Sequence, residues 1–304
     1  MTSPSSTLNV RVLQVAYDDL EPVPDRVARV AQLVEEQCGA DLVVLPELWA
    51  VGGFAFESWE ERAETLEGPT VAALSASAEA IGATVHMGSL IERAAGSPAG
   101  MLTRHSHRRW NTSVLLGPDG SILTTYRKIH RFGFSVGETA LLDPGDRVVR
   151  SVVHGGDPSH SLLRLGLATC YDLRFPELFR LLVDLGCDAF VVPAAWPAAR
   201  VEHWELLGRA RALENQCFVI QCNTAGSHGG IEMGGGSQVI GPDGRVLAQA
   251  GAEQQVIEVD LDPSEVARYR EAFPVLGDRR LIDPPSSQDP AACHPQRALT
   301  PACT

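Results

Sequence analysis

The sequence predicts an α/β protein in which two similar halves form one domain with four layers, α-β-β-α. Strand patterns and helix patterns alternate from residue 8 to about residue 260. Two motifs also occur twice. Residues 41–46 (DLVVLP) are similar to residues 188–193 (DAFVVP), and residues 116–120 (LGPDG) are similar to residues 240–244 (IGPDG). Chance similarity between short apolar strings is the alternative explanation.

The first half starts with a predicted strand over residues 8–16. A helix over residues 25–37 follows, and we expect it to end at Gly39, because glycine is common directly after helices. Residues 41–46 form a short apolar run between a glycine and a proline. Such a run is typical of a strand that is buried on both faces.

An alanine-rich helix over residues 69–82 and a strand over residues 84–91 come next. Pro-Asp-Gly between apolar runs is typical of tight turns, so the two GPDG motifs predict two β-hairpins. Each half thus has the order helix, buried strand, helix, strand, hairpin. If each half forms one sheet with helices on one face, the two bare faces pack together.

Charge and composition exclude several function classes. The chain has 304 residues with 25 Lys and Arg against 38 Asp and Glu, a formal net charge of −13. Nucleic acid and anionic lipid require a basic surface, so neither is an expected partner. With 44% apolar and 21% charged residues, the composition is that of a folded globular protein whose core needs no metal or disulfide.

We predict one folded domain over residues 8–272 and a C-terminal extension or flexible tail over residues 273–304. The stretch after Asp283 is rich in Pro, Ser and Ala and has no periodic pattern, so we interpret it as a tail or as an arm over a partner. It contains Cys293, His294 and Cys303, whose spacing matches no zinc pattern. No metal site is therefore predicted there.

The sequence favours a cytoplasmic location. The first residues lack the charged segment and apolar stretch of a signal peptide. The longest apolar run, residues 189–199, has 11 residues and two prolines, whereas a membrane-spanning helix needs about 20 residues. The seven cysteines show no paired spacing, so we expect reduced thiols in a cytoplasm.

Cys170 is a candidate nucleophile because it follows a predicted strand over residues 162–169 and precedes a helix that begins near Pro176. Amide groups at a helix N-terminus lower the pKa of a thiol and can hold an oxyanion. A structural cysteine is the alternative. Four other cysteines are interpreted as packed core thiols: Cys38, Cys187, Cys217 and Cys222.

Two charged residues are the best candidate partners for this thiol, because no histidine stands in a protease-like context. Glu47 directly follows the buried strand, where a carboxylate is costly unless it has a partner or a function. Lys128 lies just past the second strand of the first hairpin and would supply a positive charge. Taken alone, each of the two is more often a surface charge.

Three motifs, in this order, resemble the signatures of the nitrilase, or carbon–nitrogen hydrolase, superfamily. They are Pro46-Glu47, Tyr126-Arg127-Lys128-Ile129-His130 and Cys170-Tyr171-Asp172-Leu173-Arg174-Phe175-Pro176-Glu177. Residues 209–215, 223–226 and 236–244 match further family motifs, and the resemblance covers residues 8 to about 271. One motif alone would be weak evidence, whereas three in order are strong evidence.

The resemblance implies an α-β-β-α sandwich with a Glu-Lys-Cys triad and without a metal or organic cofactor. Cys170 would attack an amide carbonyl or nitrile carbon, and Glu47 would act as the general base. Lys128 would stabilise the oxyanion together with the backbone N–H of Tyr171. Glu138 matches a second glutamate of the family and would orient Lys128 or the substrate amine.

The motifs CYDLRFPE and YRKIHRF are most similar to ω-amidases and related hydrolases, which release ammonia from small amides of dicarboxylic or α-keto acids. Nitrilases usually have Trp-Glu after the cysteine, which is absent here. Arg174 would either bind a substrate carboxylate or pair with Glu177 or another acid. Trp196 would either line the acyl pocket or pack in the core.

Three hypotheses about function remain open. The first is an amidase for small amides, and the second is an N-carbamoyl or ureido hydrolase with the same triad. The third is a non-catalytic binding or scaffold protein, against which the intact triad speaks.

A dimer or a dimer of dimers is expected from the family resemblance. The predicted helices also carry apolar residues on more than one side, which a sandwich core cannot cover. These residues are Leu181, Leu182, Leu206, Leu207 and Leu213.

Overall fold

The computed structural model describes residues 7–96, 108–134, 136–155 and 162–280. The strands, in chain order, are β1 (Leu8–Gln14), β2 (Ala16–Tyr17), β3 (Leu42–Val44), β4 (Thr84–Arg93), β5 (Arg109–Leu116), β6 (Ile122–Arg127), β7 (Arg150–His154), β8 (Leu162–Leu167), β9 (Ala189–Ala194), β10 (Phe218–Asn223), β11 (Ala225–His228), β12 (Ile231–Glu232), β13 (Gln238–Ile240), β14 (Val246–Gln249) and β15 (Gln255–Leu261). The α-helices are α1 (Val23–Glu35), α2 (Pro69–Ile81), α3 (Glu138–Leu141), α4 (Pro176–Asp184), α5 (Val201–Asn215) and α6 (Ser264–Ala272).

Two six-stranded sheets organise these elements. The first has the strand order β15-β1-β3-β4-β5-β6, and the second has the order β14-β13-β10-β9-β8-β7. The middle of each sheet is parallel, as in β1–β3–β4 and β8–β9–β10, and each ends in an antiparallel hairpin. A small third sheet joins β2, β11 and β12. The predicted strand over residues 8–16 is therefore divided between two sheets.

The core has three apolar layers, so the protein is the predicted α-β-β-α sandwich. One layer lies between the first sheet and the helices α1 and α2, and another lies between the second sheet and α4 and α5. The central layer lies between the sheets and combines residues of both, among them Val10, Val12, Leu42, Val44, Leu165, Val191, Phe218 and Ile220. Both faces of each sheet are thus covered, which explains the continuous apolar runs of β3 and β9.

The helix ends agree with the sequence prediction in α2 but not in α1. Gly82 closes α2 at φ 63°, a left-handed conformation that glycine adopts without strain. By contrast, α1 ends at Glu35, and Gly39 lies farther on in the turn before β3. The expectation that Gly39 ends this helix is wrong, because the side chain of Gln37 donates to the carbonyl of Leu33 at 2.8 Å and satisfies the last turn instead.

Both predicted hairpins are present and share an irregularity. In β5–β6 the register shifts between Leu115 and Leu116, and in β13–β14 it shifts between the corresponding residues Val239 and Ile240. The similarity of the two GPDG motifs therefore reflects two copies of the same bulged hairpin.

The chain beyond α6 stays attached to the second half. The carbonyl of Phe273 accepts a hydrogen bond from Gln216 at 2.7 Å, and Arg279 pairs with Asp184 on α4. The stretch after Asp283, with its predicted tail and its Cys293, His294 and Cys303, lies outside the described residues. Among the helices that are described, none has the length and apolarity of a membrane-spanning segment.

Candidate active site

Cys170 lies in a tight turn between β8 and α4. Residues 170–174 form a 3-10 turn, and Cys170 itself has a φ of 46°, a left-handed conformation that is strained for a residue with a Cβ atom. Thr169 and Asp172 cap this turn reciprocally, each side chain accepting from the other residue's backbone N–H. The position of the thiol between a strand and a helix is therefore as predicted, and α4 begins at Pro176, also as predicted.

The thiol of Cys170 is not acidified by this position. Burial, followed by the negative charge of Glu47, raises the pKa of the Cys170 thiol well above its ordinary value, although Lys128 opposes this. The expectation of a lowered thiol pKa is wrong, because burial and the charge of Glu47 both raise the pKa of this thiol. A raised thiol pKa means that attack by the sulfur calls for a base that takes its proton.

Glu47 is the carboxylate beside this thiol, and it is 3% exposed. Its Oε2 accepts the backbone N–H of Ala195 at 2.9 Å, a bond between the two halves of the molecule. The turn that carries Glu47 packs directly on β4, where a Cβ at Gly88 would lie 1.8 Å from the carbonyl oxygen of Pro46. Gly88 thus permits the backbone approach that places Glu47.

Lys128 follows β6 and is 2% exposed. Its Nζ lies 2.8 Å from Oε1 of Glu47 and 2.8 Å from Oε2 of Glu138. Burial lowers the pKa of the ammonium, but the charges of Glu138 and Glu47 outweigh burial and hold this pKa well above its ordinary value. Lys128 is therefore a fixed positive charge and not a base.

Glu138 begins α3 and completes the charged cluster. Its Oε2 also accepts the backbone N–H of Phe132 at 2.5 Å. Burial raises the pKa of Glu138; Lys128 opposes this and Glu47 adds to it, and the net direction is upward. The structure thus places Glu47, Lys128, Glu138 and Cys170, all predicted from the sequence, around one cavity.

Asn111 is a member of the cluster that the sequence interpretation missed. Its side-chain Nδ2 donates to Oε1 of Glu47 at 2.8 Å and to Oε1 of Glu138 at 2.6 Å, so it holds both carboxylates around Lys128. A signal for it was present in the predicted hairpin. Pairing back from the turn places Asn111 opposite Lys128, whose backbone N–H donates to the Asn111 carbonyl at 2.8 Å.

The walls of the cavity are aromatic and the mouth is cationic. Phe54, Phe56, Phe132, Tyr171 and Trp196 line it together with two arginines, Arg174 and Arg200. The sequence interpretation named Tyr171, Trp196 and Arg174 but missed Arg200, which no recognised motif contains. Trp196 both faces the cavity and contacts the core, since its ring lies 5.5 Å from that of Trp204.

Arg174 stacks over the ring of Trp196 at 4.8 Å, and its Nη2 lies 3.3 Å from Nδ1 of His203. Within the described part of the chain, neither Arg174 nor Arg200 forms an ion pair with a carboxylate. The alternative in which Arg174 pairs with Glu177 is therefore not seen there. With Lys128, Glu47 and Glu138, these two arginines bring the charged side chains that line the cavity to three cations and two carboxylates.

Other cysteines divide into two classes. Cys187, Cys217 and Cys222 are buried as predicted, whereas Cys38 is exposed and its interpretation as a core thiol is wrong. It follows the end of α1 in the turn before β3, where the chain runs over the surface.

Among the five leucines expected on the helix surfaces, Leu182 is fully buried and Leu207 is partly buried against the core. Leu181, Leu206 and Leu213 are exposed.

Comparisons with known proteins agree with this geometry. A carbon–nitrogen hydrolase family model matches residues 9–271. The 2-oxoglutaramate amidase of Paenarthrobacter nicotinovorans is 44% identical over 275 residues, which cover 90% of this chain and 90% of the relative. An ω-amidase of Xenopus tropicalis is 34% identical, with coverage of 84% and 90% respectively.

A solved structure shows the same fold around a reactive cysteine. A mutant amidase from Nesterenkonia sp. AN1 is 26% identical, has a TM-score of 0.69 and covers 91% of this chain and 98% of its own. In it the acetamide moiety of fluoroacetamide is covalently added at the active-site cysteine. Taken together, family, fold and relatives place this chain in the carbon–nitrogen hydrolase family of the nitrilase superfamily, close to the ω-amidase branch, as an enzyme that hydrolyses small amides.

Proposed function

We propose that this enzyme hydrolyses the terminal amide of a small carboxylic acid, such as 2-oxoglutaramate, and releases ammonia. The observation that carries this proposal is a buried thiol beside a Glu–Lys–Glu cluster, in a cavity with two arginines that form no ion pair with a carboxylate among the residues that the structure describes. The cluster fits amide cleavage, and the arginines fit the carboxylate of the substrate. Two relatives carry names for amidases of this kind.

The first half-reaction forms a thioester. Glu47 takes the thiol proton while the sulfur of Cys170 attacks the amide carbon, so a C–S bond forms and the carbonyl oxygen becomes an oxyanion. Lys128 and the N–H of Tyr171 stabilise that oxyanion. Glu47 then gives its proton to the nitrogen, the C–N bond breaks and ammonia leaves.

The second half-reaction restores the enzyme. Glu47 takes a proton from water as the water oxygen attacks the thioester carbon. The C–S bond breaks, the sulfur of Cys170 regains the proton, and the acid leaves. In this scheme Glu138 orients Lys128, because its Oε2 lies 2.8 Å from the ammonium, the same distance as Oε1 of Glu47.

The charges that line the cavity favour an anionic substrate. Lys128, Arg174 and Arg200 face Glu47 and Glu138, which leaves one positive charge in excess when the thiol is protonated. One substrate carboxylate balances that excess. Arg174 stacks on Trp196, which holds its planar guanidinium at the mouth of the cavity for a paired interaction with a carboxylate.

Two substrates of equal length test this proposal. Succinamate carries a carboxylate where butyramide has a methyl group, and ammonia release is measured for both. We expect succinamate to be preferred, and the substitution R174Q or R200Q to raise its KM roughly 10- to 100-fold while leaving butyramide unaffected. The control is R245Q, on the exposed second hairpin.

Two outcomes would contradict the proposal. One is equal turnover of both amides that R174Q and R200Q leave unchanged. The other is faster turnover of an N-carbamoyl amino acid than of any amide, which would favour the ureido hydrolase instead.

Assembly and location belong to the same proposal. We place a homodimer, or a dimer of dimers, at α4 and α5, where Leu181, Leu206 and Leu213 are 51%, 65% and 53% exposed. Light scattering across a dilution series tests this, and a stable, fully active species near the chain mass of 32.6 kDa would contradict it.

The catalytic domain is proposed to span residues 8–272, with residues 273–304 as an extension. A cytoplasmic location is also proposed. It is supported by the free thiols of Cys38, Cys170, Cys187, Cys217 and Cys222.

A further inference from the structure

Asp172 is a completely buried carboxylate that takes no part in the reaction scheme above. Its side chain is 0% exposed and does not line the cavity. Oδ2 accepts the hydroxyl of Tyr126 at 2.7 Å and the backbone N–H of Thr169 at 2.9 Å. Oδ1 accepts the backbone N–H of His130 at 2.9 Å and lies 2.7 Å from Nδ1 of the same residue. Four donors thus satisfy one carboxylate.

Asp172 and its partners flank both Lys128 and Cys170 in the sequence. Tyr126 and His130 stand two residues before and two residues after Lys128. Thr169 precedes Cys170, and Asp172 follows it within the same 3-10 turn. One carboxylate therefore joins the segment that carries the ammonium to the turn that carries the thiol. We call Tyr126, His130, Thr169 and Asp172 the Asp172 network.

The turn at Cys170 needs such a support because its backbone is strained. A non-glycine residue at a φ of 46° persists only when its surroundings hold it there. The N–H of Thr169 is buried, so without Asp172 it would lose its acceptor. The ring of His130 also stacks on Phe175 at 3.8 Å, which adds a second contact to the far end of the turn.

The hydroxyl of Tyr126 remains a donor in this arrangement. Burial, followed by the charge of Asp172, raises the pKa of Tyr126 well above its ordinary value. The side chain of Thr169 is also tied to the first half, since its Oγ1 lies 2.9 Å from Oγ of Ser113 on β5. The turn is thus held to the first sheet from both of its ends.

We infer that Asp172 is a positioning residue that fixes the sulfur of Cys170 relative to the ammonium of Lys128. It therefore governs the rate of thioester formation and not the binding of substrate. The inference rests on the proposed roles of Cys170 and Lys128, but it requires no particular substrate. Arg174 and Arg200, which are proposed to hold the substrate carboxylate, make no hydrogen bond to Asp172 in the described residues.

The test compares D172N with D188N. In D172N one of the two accepting oxygens becomes an NH₂ group, so the side chain can accept from the Tyr126 and Thr169 donors or from the His130 donors but not from both. The link between the two segments is thus lost while the side-chain volume is kept. Asp188 is a buried aspartate before β9 that pairs with Arg164, so D188N controls for the loss of a buried carboxylate. Thermal unfolding, kcat, KM and the rate of iodoacetamide alkylation of Cys170 are measured for each.

We expect D172N to lower kcat roughly 100-fold, the cost of a small misplacement of a reacting group, with KM unchanged. Alkylation of Cys170 should slow as well. D188N should lower the midpoint of unfolding and leave kcat and alkylation near wild type. The inference is overturned if D172N raises KM at unchanged kcat, or if its kcat falls only by the unfolded fraction, as in D188N.

A second variant keeps the test decisive if D172N does not fold. Y126F removes one of the four donors and preserves the shape of the ring, so we expect a several-fold fall in kcat with KM unchanged. In a folded double variant, Y126F should add little to D172N because both act through one carboxylate. A normal kcat in Y126F would overturn the inference. Failure of the proposed substrate class would leave the alkylation rates informative, so the two failures can be told apart.

Discussion

The two halves of the molecule share one arrangement of strands, helices and hairpins but differ at each position that is proposed to supply catalytic chemistry. Glu47 directly follows the DLVVLP motif, and Ala194 directly follows the DAFVVP motif. Lys128 and Ala252 each stand eight residues beyond the last glycine of their GPDG turns. The parallel pairing of Val10 with Leu42 in the first sheet corresponds to the pairing of Leu165 with Ala189 in the second. Cys170 stands five residues after Leu165, and Val15 stands five residues after Val10, so Val15 is the counterpart of Cys170. Each reacting residue thus corresponds to a small or apolar residue in the opposite half.

This difference teaches that a repeated fold does not repeat the chemistry. The first half supplies the three charged residues of the proposed site, Glu47, Lys128 and Glu138, which hydrogen bonds and ion pairs hold in place. The second half supplies the proposed nucleophile, Cys170, which a strained and capped backbone holds in place. The halves meet in the bond from the Ala195 amide to Glu47, so neither half contains a complete site.

The largest expected effect tests the contribution of the second half. C170A should lower turnover by a factor on the order of 10⁶, as removal of a covalent nucleophile does in other enzymes, without unfolding the protein. C187A, which changes a buried cysteine of the same half, should keep full activity. Mass spectrometry of the wild type with a slow substrate should show an acyl adduct on Cys170. More than trace turnover by C170A would contradict the proposed mechanism.

The next effect tests the charges of the first half. K128M leaves the buried carboxylates of Glu47 and Glu138 without their cation, and loss of one partner of a buried pair costs about 3–5 kcal/mol in the free energy of unfolding. Turnover should be lost at the same time. The double variant K128M/E138Q should recover stability but not activity, as urea unfolding would reveal. A K128M protein as stable as wild type would sink this account.

A smaller effect, the loss of stability at acidic pH, is expected from one buried histidine in each half. His86 lies in β4 and His228 in β11, and burial lowers the pKa of each from 6.5 to about 4. The unfolded chain therefore binds more protons between these values. The stability that each neutral histidine contributes is fully present above about pH 6.5 and is lost as the pH falls to about 4, up to about 3 kcal/mol each.

Urea unfolding at several pH values measures this loss. H86Q and H228Q should each reduce the fall in stability between neutral and acidic pH, relative to wild type, by a similar amount. If the free energy of unfolding falls equally with pH in wild type and in both variants, the buried histidines do not cause the pH dependence of stability.

The smallest effect separates the two hairpins. Gly120 and Gly244 have φ values of 73° and 79°, so alanine strains both turns. A Cβ at Gly120 would lie 2.7 Å from the backbone carbonyl of Ser75 on α2, whereas one at Gly244 would lie 3.2 Å from the side chain of Leu213. G120A should therefore cost about 1–3 kcal/mol and G244A less, as thermal unfolding would report. Equal costs would mean that only the turn conformation matters.

Much of the fold could be predicted because its determinants are local. The motif at residues 41–46, the alanine-rich helix over residues 69–82 and the Pro-Asp-Gly turns each specify their own structure. The prediction that α1 ends at Gly39 failed because a glycine is a strong sequence indicator of a helix end. The hydrogen bond from the Gln37 side chain to the Leu33 carbonyl, which is formed at the actual end, cannot be recognised from the sequence. The prediction that Cys38 is buried failed because residue type alone does not fix burial.

The candidate site was predictable where reacting residues carry motifs, as for Glu47, Lys128 and Cys170. Asn111 and Arg200 were missed, since their contribution depends on distances between segments that are far apart in the chain. The direction of the thiol pKa was also missed. It is set by burial and by Glu47, which approaches Cys170 only in the folded protein.

Gly88 in β4, whose side chain is a single hydrogen atom, limits how the sequence of this enzyme can vary. Any side chain at Gly88 would occupy the space of the Pro46 carbonyl, so every substitution of this glycine displaces Glu47, the proposed general base. Even alanine, the smallest replacement, therefore has this effect. In a population of variants selected for amide hydrolysis, Gly88 should be as invariant as Cys170, although it touches no substrate.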